Sequence, residues 1–174
     1  RNGFVSSYST EGSSLLVSAF GTPGQVYTTD RIGSGGYSGG DYTPGFNGTS
    51  AAAPMVTGIV ALMLDANPNL GFRDVREILA ATARHVGSDM GAGAANSEHY
   101  TWRWNGSETW NGGGQHFSED YGFGLVDALA AVRLAESWTQ SKTMANLAEV
   151  EASASFDVAL GIPDNSTREI KFSV

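Results

Sequence analysis

Residues 45–54 read GFNGTSAAAP and run directly into MVTGIVALMLDANP. Gly45, Asn47 and Gly48 tolerate tight or left-handed backbone, so the stretch opens as a turn. Ala51, Ala52 and Ala53 then favour helix and carry almost no side-chain bulk. Pro54 is expected in the first helical turn, where a missing N–H costs nothing. Val56, Ile59, Val60 and Met63 recur at helical spacing, which predicts a helix from Ser50 to Ala66 with a buried face. Ser50 therefore stands where a glycine-rich loop becomes a helix, at the positive end of the helix dipole and among free N–H groups. A serine there has an ordinary reading as a helix N-cap. It has a second reading as a nucleophile whose oxyanion those N–H groups would stabilise.

The surrounding residues separate the two. FNGTSAAAP, with the V, G, ALML and ANPNL that follow, resembles the nucleophile segment of the subtilisin-like serine peptidases. ANPNLGFRDVREIL and SEDYGFGLVDALAAV resemble the kexin and furin-type branch of that family. The resemblance implies Ser50 as the catalytic nucleophile, its backbone N–H as an oxyanion donor, and Asn47, Gly48 and Thr49 as candidate lining of the substrate cleft. It implies protein or peptide substrates and a secreted or extracytoplasmic location. In this family the chain order is Asp, His, Ser. The resemblance therefore places the Asp, the His and the side-chain oxyanion asparagine upstream of Arg1, in a missing N-terminal part of the same polypeptide. The implied fold is α/β. Residues 1–140 would be the C-terminal portion of a subtilisin-like three-layer domain with a mostly parallel sheet. Residues 146–174 would be the first strands of a P or Homo B β-sandwich.

Composition agrees with a packed protein. The 174 residues are 41% hydrophobic and 16% charged, enough for a core and unlike a disordered chain. The net charge of −8 disfavours a nucleic-acid surface. Cysteine is absent, which excludes thiol catalysis and a disulfide framework. The longest apolar run, Ile59 to Leu64, is too short to cross a bilayer, so no membrane segment is expected. The chain starts at Arg1 in the middle of a strand-and-turn pattern, as an excerpt of a longer protein would.

Along the chain, Phe4–Val5, Leu15 to Phe20 and Val26 to Ile32 are candidate strands, and GSGGYSGGDYTPG is expected as a mobile loop feeding the nucleophile turn. YSTEGSSLLVSAFG resembles the family segment leading towards the cleft. In the furin-like branch an acidic residue follows its Tyr-Ser pair and helps bind calcium. Here Thr10 stands in that place and Glu11 one residue later. Calcium is thus the one cofactor the resemblance allows, with no metal ligand assigned. Asn67-Pro68-Asn69 ends the first helix. Phe72 to Arg84 predicts a second, with Gly71 where relatives carry a Ser or Thr cap and Asp74 as a first-turn charge. Alternation at Tyr100, Trp102 and Trp104 suggests a strand, and Trp110-Asn111-Gly112 a hairpin turn. Leu125 to Trp138 predicts a third helix after an architectural Gly122 and Gly124 pair, with Asp127 as a first-turn charge.

His85, His99 and His116 show no zinc spacing, and Ala52 breaks the G-x-S-x-G elbow of α/β-hydrolases, so structural roles are expected for all three. Sequons at Asn47, Asn105 and Asn165 are read as chance matches. Two other functions stay open beside the peptidase: a pseudoenzyme or interaction module on the same fold, and a carbohydrate-binding module using Trp102, Trp104 and Trp110.

Overall fold

The computed structural model of the protein describes residues 3–21, 26–87, 98–104, 115–139, 142 and 145. The expected second domain at 146–174 and the turn at Trp110-Asn111-Gly112 lie outside them.

Three helices form the body. α1 (Thr49–Ala66) starts one residue before the expected position, α2 (Phe72–Thr82) stops two residues short, and α3 (Ala128–Ser137) is trimmed at both ends. α3 packs on both α1 and α2. It does so through Ala131 and Ala135, four residues apart and fully buried, whose small side chains let the helices approach. Met63 of α1 and Val75, Ile78 and Leu79 of α2 close on them, with Val56, Ile59, Val60, Leu16 and Val17 packed around. Burying a side chain such as Ile78 contributes about 1.5–3 kcal/mol. Polar groups fix the helix ends to one another. Asn67 Nδ2–H donates to the Ala135 and Trp138 carbonyls at 3.0 and 3.1 Å, satisfying the open end of α3.

Asp74 does more than complement a dipole. It is fully buried and accepts from the Gly71 N–H at 2.8 Å, Trp138 Nε1–H at 3.1 Å and the Lys142 N–H at 3.0 Å. Burial alone would raise its pKa, but these donors outweigh it and hold the carboxyl below its ordinary value. A Cβ on Gly71 would stand 3.0 Å from the Lys142 carbonyl, which explains a glycine cap here. Asp127 likewise is the N-cap of α3 rather than a first-turn charge, accepting from the Ala130 N–H at 2.9 Å.

The strands differ more from expectation. β1 (Val26–Thr29) is shorter than expected and pairs antiparallel with β2 (Tyr42–Phe46), through a bulge between Val26 and Thr28. The supposed loop is therefore a hairpin, pinned by side chains. Asp30 accepts from the Ser38 and Arg31 N–H groups, both at 2.8 Å, and these hold its carboxyl below the usual range. Asp41 accepts from the Gly33 N–H at 2.9 Å. β2 escapes notice because Pro44 and Gly45 are poor strand residues. β3 (Arg103–Trp104) and β4 (His116–Phe117) form a second antiparallel pair. Among the described residues, the parallel pairing is the isolated bridge Ser18↔Leu125. Leu125 also bridges Arg84 antiparallel, so its segment lies between the two. Leu15 to Phe20 thus runs beside residues 123–126, joined by the Phe123 N–H to the Leu16 carbonyl, the Ser18 N–H to the Gly124 carbonyl and the Val126 N–H to the Ser18 carbonyl. It does not extend into a named strand, and Phe4–Val5 joins neither sheet. Gly122 and Gly124 make the junction possible. They have φ of 65° and 118°, and a Cβ would stand 2.5 Å from the Leu16 carbonyl oxygen and 2.3 Å from that of Arg84.

α1 as a whole, 18 residues with mean hydropathy 1.4, is long and apolar enough to cross a membrane by length and composition, although its longest unbroken apolar run is not. One side of it packs into the helix core, while Leu62 and Leu64 remain 56% and 40% exposed.

Candidate active site

β2 delivers the chain into the turn before α1. The Asn47 Nδ2–H donates to the Gly45 carbonyl at 3.1 Å, bracing the turn from within. Gly48 has φ of 89° and ψ of −176°, a conformation that glycine adopts freely. Its N–H donates to the Gly21 carbonyl at 2.8 Å. A Cβ on Gly21 would stand 2.7 Å from the Gly48 carbonyl oxygen, so the two backbones touch because Gly21 lacks a side chain.

Gly48, not Ser50, is the N-cap of α1, and no side chain caps the helix. Its carbonyl accepts the Ala51 and Ala52 N–H groups at 3.0 and 3.3 Å. Ser50 is then the second helical residue and exposed, and its hydroxyl makes no hydrogen bond among the described residues. The capping reading of Ser50 is thereby removed. The N–H groups of Thr49 and Ser50 point out of the helix start with no acceptor among the described residues. Pro54 corrects a second expectation. It is the sixth residue of α1, beyond the first turn, and its missing N–H leaves the Ser50 carbonyl without its usual helical donor.

Asn47, Gly48, Thr49 and Ser50 thus share one turn. A cavity of about 200 Å³ lies behind it, walled by Gly48, Thr49 and Ala52 on one side and by Tyr8, Val17 and Tyr121 on others. Ser50 itself takes no part in that wall, although its neighbours Thr49 and Ala52 do. The three histidines are engaged elsewhere. The rings of His85 and His116 lie 5.8 Å apart, packed with Trp102 and Trp104. His99 Nδ1 lies 3.6 Å from a Glu11 carboxylate oxygen.

The model of the subtilase family matches residues 1–124. The chain belongs to the subtilase family. Furin-like protease 1, isoform 1-CRR, of Drosophila melanogaster is 36% identical over 142 residues, which are 79% of this chain and 11% of that protein. Proprotein convertase subtilisin/kexin type 6 of Homo sapiens is 43% identical over 97 residues, 56% of this chain and 8% of that protein. Among solved structures, the serine protease of Aeromonas sobria superposes with a TM-score of 0.65 at 29% identity, covering 81% of this chain and 28% of the other. This subtilase chain therefore carries part of a serine-protease α/β fold of the kexin and furin type, and spans about a tenth of the length of the curated relatives it matches.

Some of the buried chemistry of the subtilase chain has no signal in the sequence. Tyr121 is buried, its hydroxyl donating to Glu98 Oε1 and accepting from the Val5 N–H at 2.9 Å. Burial first, and Glu98 second, push the phenol well above its ordinary pKa. Asp120, also buried, accepts from the His99 and Tyr100 N–H groups, both at 2.8 Å. These groups join segments far apart in the chain, and no local spacing announces them. For calcium the fit is poor. Glu11 faces an imidazole, and the described residues contain no group of three or more His, Cys, Asp or Glu that could hold a metal.

Proposed function

We propose that the parent polypeptide is a serine endopeptidase with Ser50 as its nucleophile. Its Oγ would bond to the scissile carbonyl carbon and give its proton to an imidazole, which passes it to the leaving amine. Water then cleaves the resulting ester and restores the hydroxyl. The oxyanion formed on the way would accept the Ser50 N–H, with Asn47, Gly48 and Thr49 beside the substrate. The catalytic His and Asp and the oxyanion asparagine are assigned to residues upstream of Arg1. The single observation that carries the proposal is the exposed Ser50 hydroxyl in the first turn of α1, uncommitted to capping, among N–H groups without acceptors.

The furin-like likeness supports a location outside the cytoplasm, and a β-sandwich beginning near residue 146. A carbohydrate-binding reading gains nothing from the structure. Trp102 is 8% exposed and stacks on Tyr121 at 5.4 Å with 8° between the planes, its Nε1–H donating to the Val86 carbonyl at 3.1 Å. Of the described members of the tryptophan stripe, only Trp104 offers a face, at 57% exposure.

The test is Ser50→Ala in the full-length parent. We expect kcat on a peptide substrate to fall by about 10⁶-fold, the scale of the same loss in subtilisin, a member of this family, with unchanged Tm. A variant that keeps turnover within tenfold of the wild type refutes the assignment.

A further inference from the structure

The turn that carries Ser50 has β2 before it and α1 after it, and the cavity leaves space behind it. Among the described residues, one hydrogen bond ties residues 47–50 to a segment outside β2 and α1. It is the Gly48 N–H donating to the Gly21 carbonyl at 2.8 Å. The return contact is closer still. A Cβ on Gly21 would stand 2.7 Å from the Gly48 carbonyl oxygen, 3.2 Å from the Gly48 carbonyl carbon and 3.1 Å from the Tyr8 hydroxyl. Tyr8 is exposed and can swing its hydroxyl aside. The Gly48 carbonyl cannot yield so easily, because it is backbone and accepts the Ala51 and Ala52 N–H groups. That carbonyl and the Thr49 N–H belong to one planar peptide unit, so the direction of one fixes the direction of the other. The Ser50 N–H follows one peptide on.

We infer that Gly21 is a positioning residue for the nucleophile turn, its bare Cα setting the tilt of the Gly48–Thr49 peptide and, through it, the aim of the Ser50 N–H and hydroxyl. The inference rests on the reading of Ser50 as nucleophile. The φ of 89° at Gly48 gives the turn its shape, and Gly21 fixes where the turn stands. Gly21 is assigned no contact with substrate; it acts through Gly48. A methyl group at position 21 would push that peptide by about 0.5–1 Å to restore ordinary contact. A misplacement of about 1 Å costs about 10²-fold in rate. Oxyanion donors act in the transition state and not in the substrate complex, so the loss belongs in kcat.

The test compares Gly21→Ala with Gly71→Ala in the full-length parent. Fluorophosphonate titration, taken to completion, counts active sites so that kcat is expressed per functional site. Gly71→Ala is the steric control: its Cβ would meet the Lys142 carbonyl at 3.0 Å, beyond the far end of the 18-residue α1. We expect kcat per site to fall about 10²-fold in Gly21→Ala with KM within about threefold, and to stay near wild type in Gly71→Ala whatever its Tm. An unchanged kcat per site in Gly21→Ala, or an equal fall in both, overturns the inference. Adding Tyr8→Phe to Gly21→Ala relieves only the contact that can yield, and kcat should stay low. Full recovery would show that the hydroxyl and not Gly48 feels the methyl, which also overturns it. A second measurement needs no substitution. Amide exchange at Gly48 in the wild-type parent, resolved by fragmentation mass spectrometry, should be slowed about 10²-fold or more against a free peptide; exchange at the free-peptide rate overturns the inference by itself. The nucleophile is decided separately. Ser50 labelled in wild type and in Gly21→Ala, with kcat per site unchanged, refutes the role of Gly21 alone, whereas an adduct on another residue refutes the reading of Ser50.

Discussion

A hydroxyl at the second position of a helix whose cap is a glycine has no backbone group to serve, which leaves Ser50 available for chemistry. The same turn makes Gly48 sensitive. Its φ is 89°, yet nothing lies within 4 Å of the position a Cβ would take. Gly48→Ala should therefore act through backbone strain alone, lowering stability by about 1–2 kcal/mol and kcat more than KM in the parent. Unaltered kinetics and Tm would show that the turn does not need its left-handed residue. Asp74 gives a pH signature. Its folded pKa lies below the ordinary carboxylate value, so its contribution is fully present above about pH 4. That contribution is lost as pH falls further, through the folded value. We expect Asp74→Ala to cost about 3 kcal/mol at pH 7 and to flatten the acid limb of Tm against pH. A parallel acid limb in the variant would place the proton uptake elsewhere. The turn that carries Ser50 was legible because residues 45–54 form most of it from local sequence, with Gly21 closing it from outside. Asp74 was not, because Trp138 and Lys142 lie 64 and 68 residues away.

The elements divide along the same line. The three helices were legible to within a few residues because Val75, Ile78 and Leu79, for example, declare a face at helical spacing. The extended segments were not, since Ser18 finds its neighbour at Leu125 and β2 contains Pro44 and Gly45. Gly122 and Gly124 join those segments, and the close approaches to Leu16 and Arg84 leave no room for a methyl group. Gly124→Ala should therefore cost more than about 2 kcal/mol and lower Tm by several degrees. Asp127→Ala, which removes only the α3 cap, should cost about 1 kcal/mol. Urea unfolding of the parent measures both. Equal losses, or the reverse order, would mean that the junction gives way more easily than its geometry implies.

Across the whole molecule, the helical core is small and apolar surface is left over: Leu62, Leu64, Phe72 and Leu129 are each 40% exposed or more. The matched serine protease is covered to only 28% of its length, and parallel strands and an apolar helix such as α1 are ordinarily covered on several sides. Residues 1–174 expressed alone should therefore bind ANS and unfold without a sharp transition, and the full-length parent should melt cooperatively. A monomeric, sharply melting 174-residue protein would show that this core suffices. The family was legible from residues 45–54 and their continuation, whereas the mostly parallel sheet expected is represented among the described residues by the Ser18↔Leu125 bridge alone, beside two short antiparallel pairs. The central claim, that Ser50 is the nucleophile, is tested most directly by treating the full-length parent with a fluorophosphonate and mapping the adduct by mass spectrometry. The account predicts one phosphonyl group per molecule, on Ser50, and none in Ser50→Ala; an adduct on another residue, or an undiminished one in the variant, would contradict it.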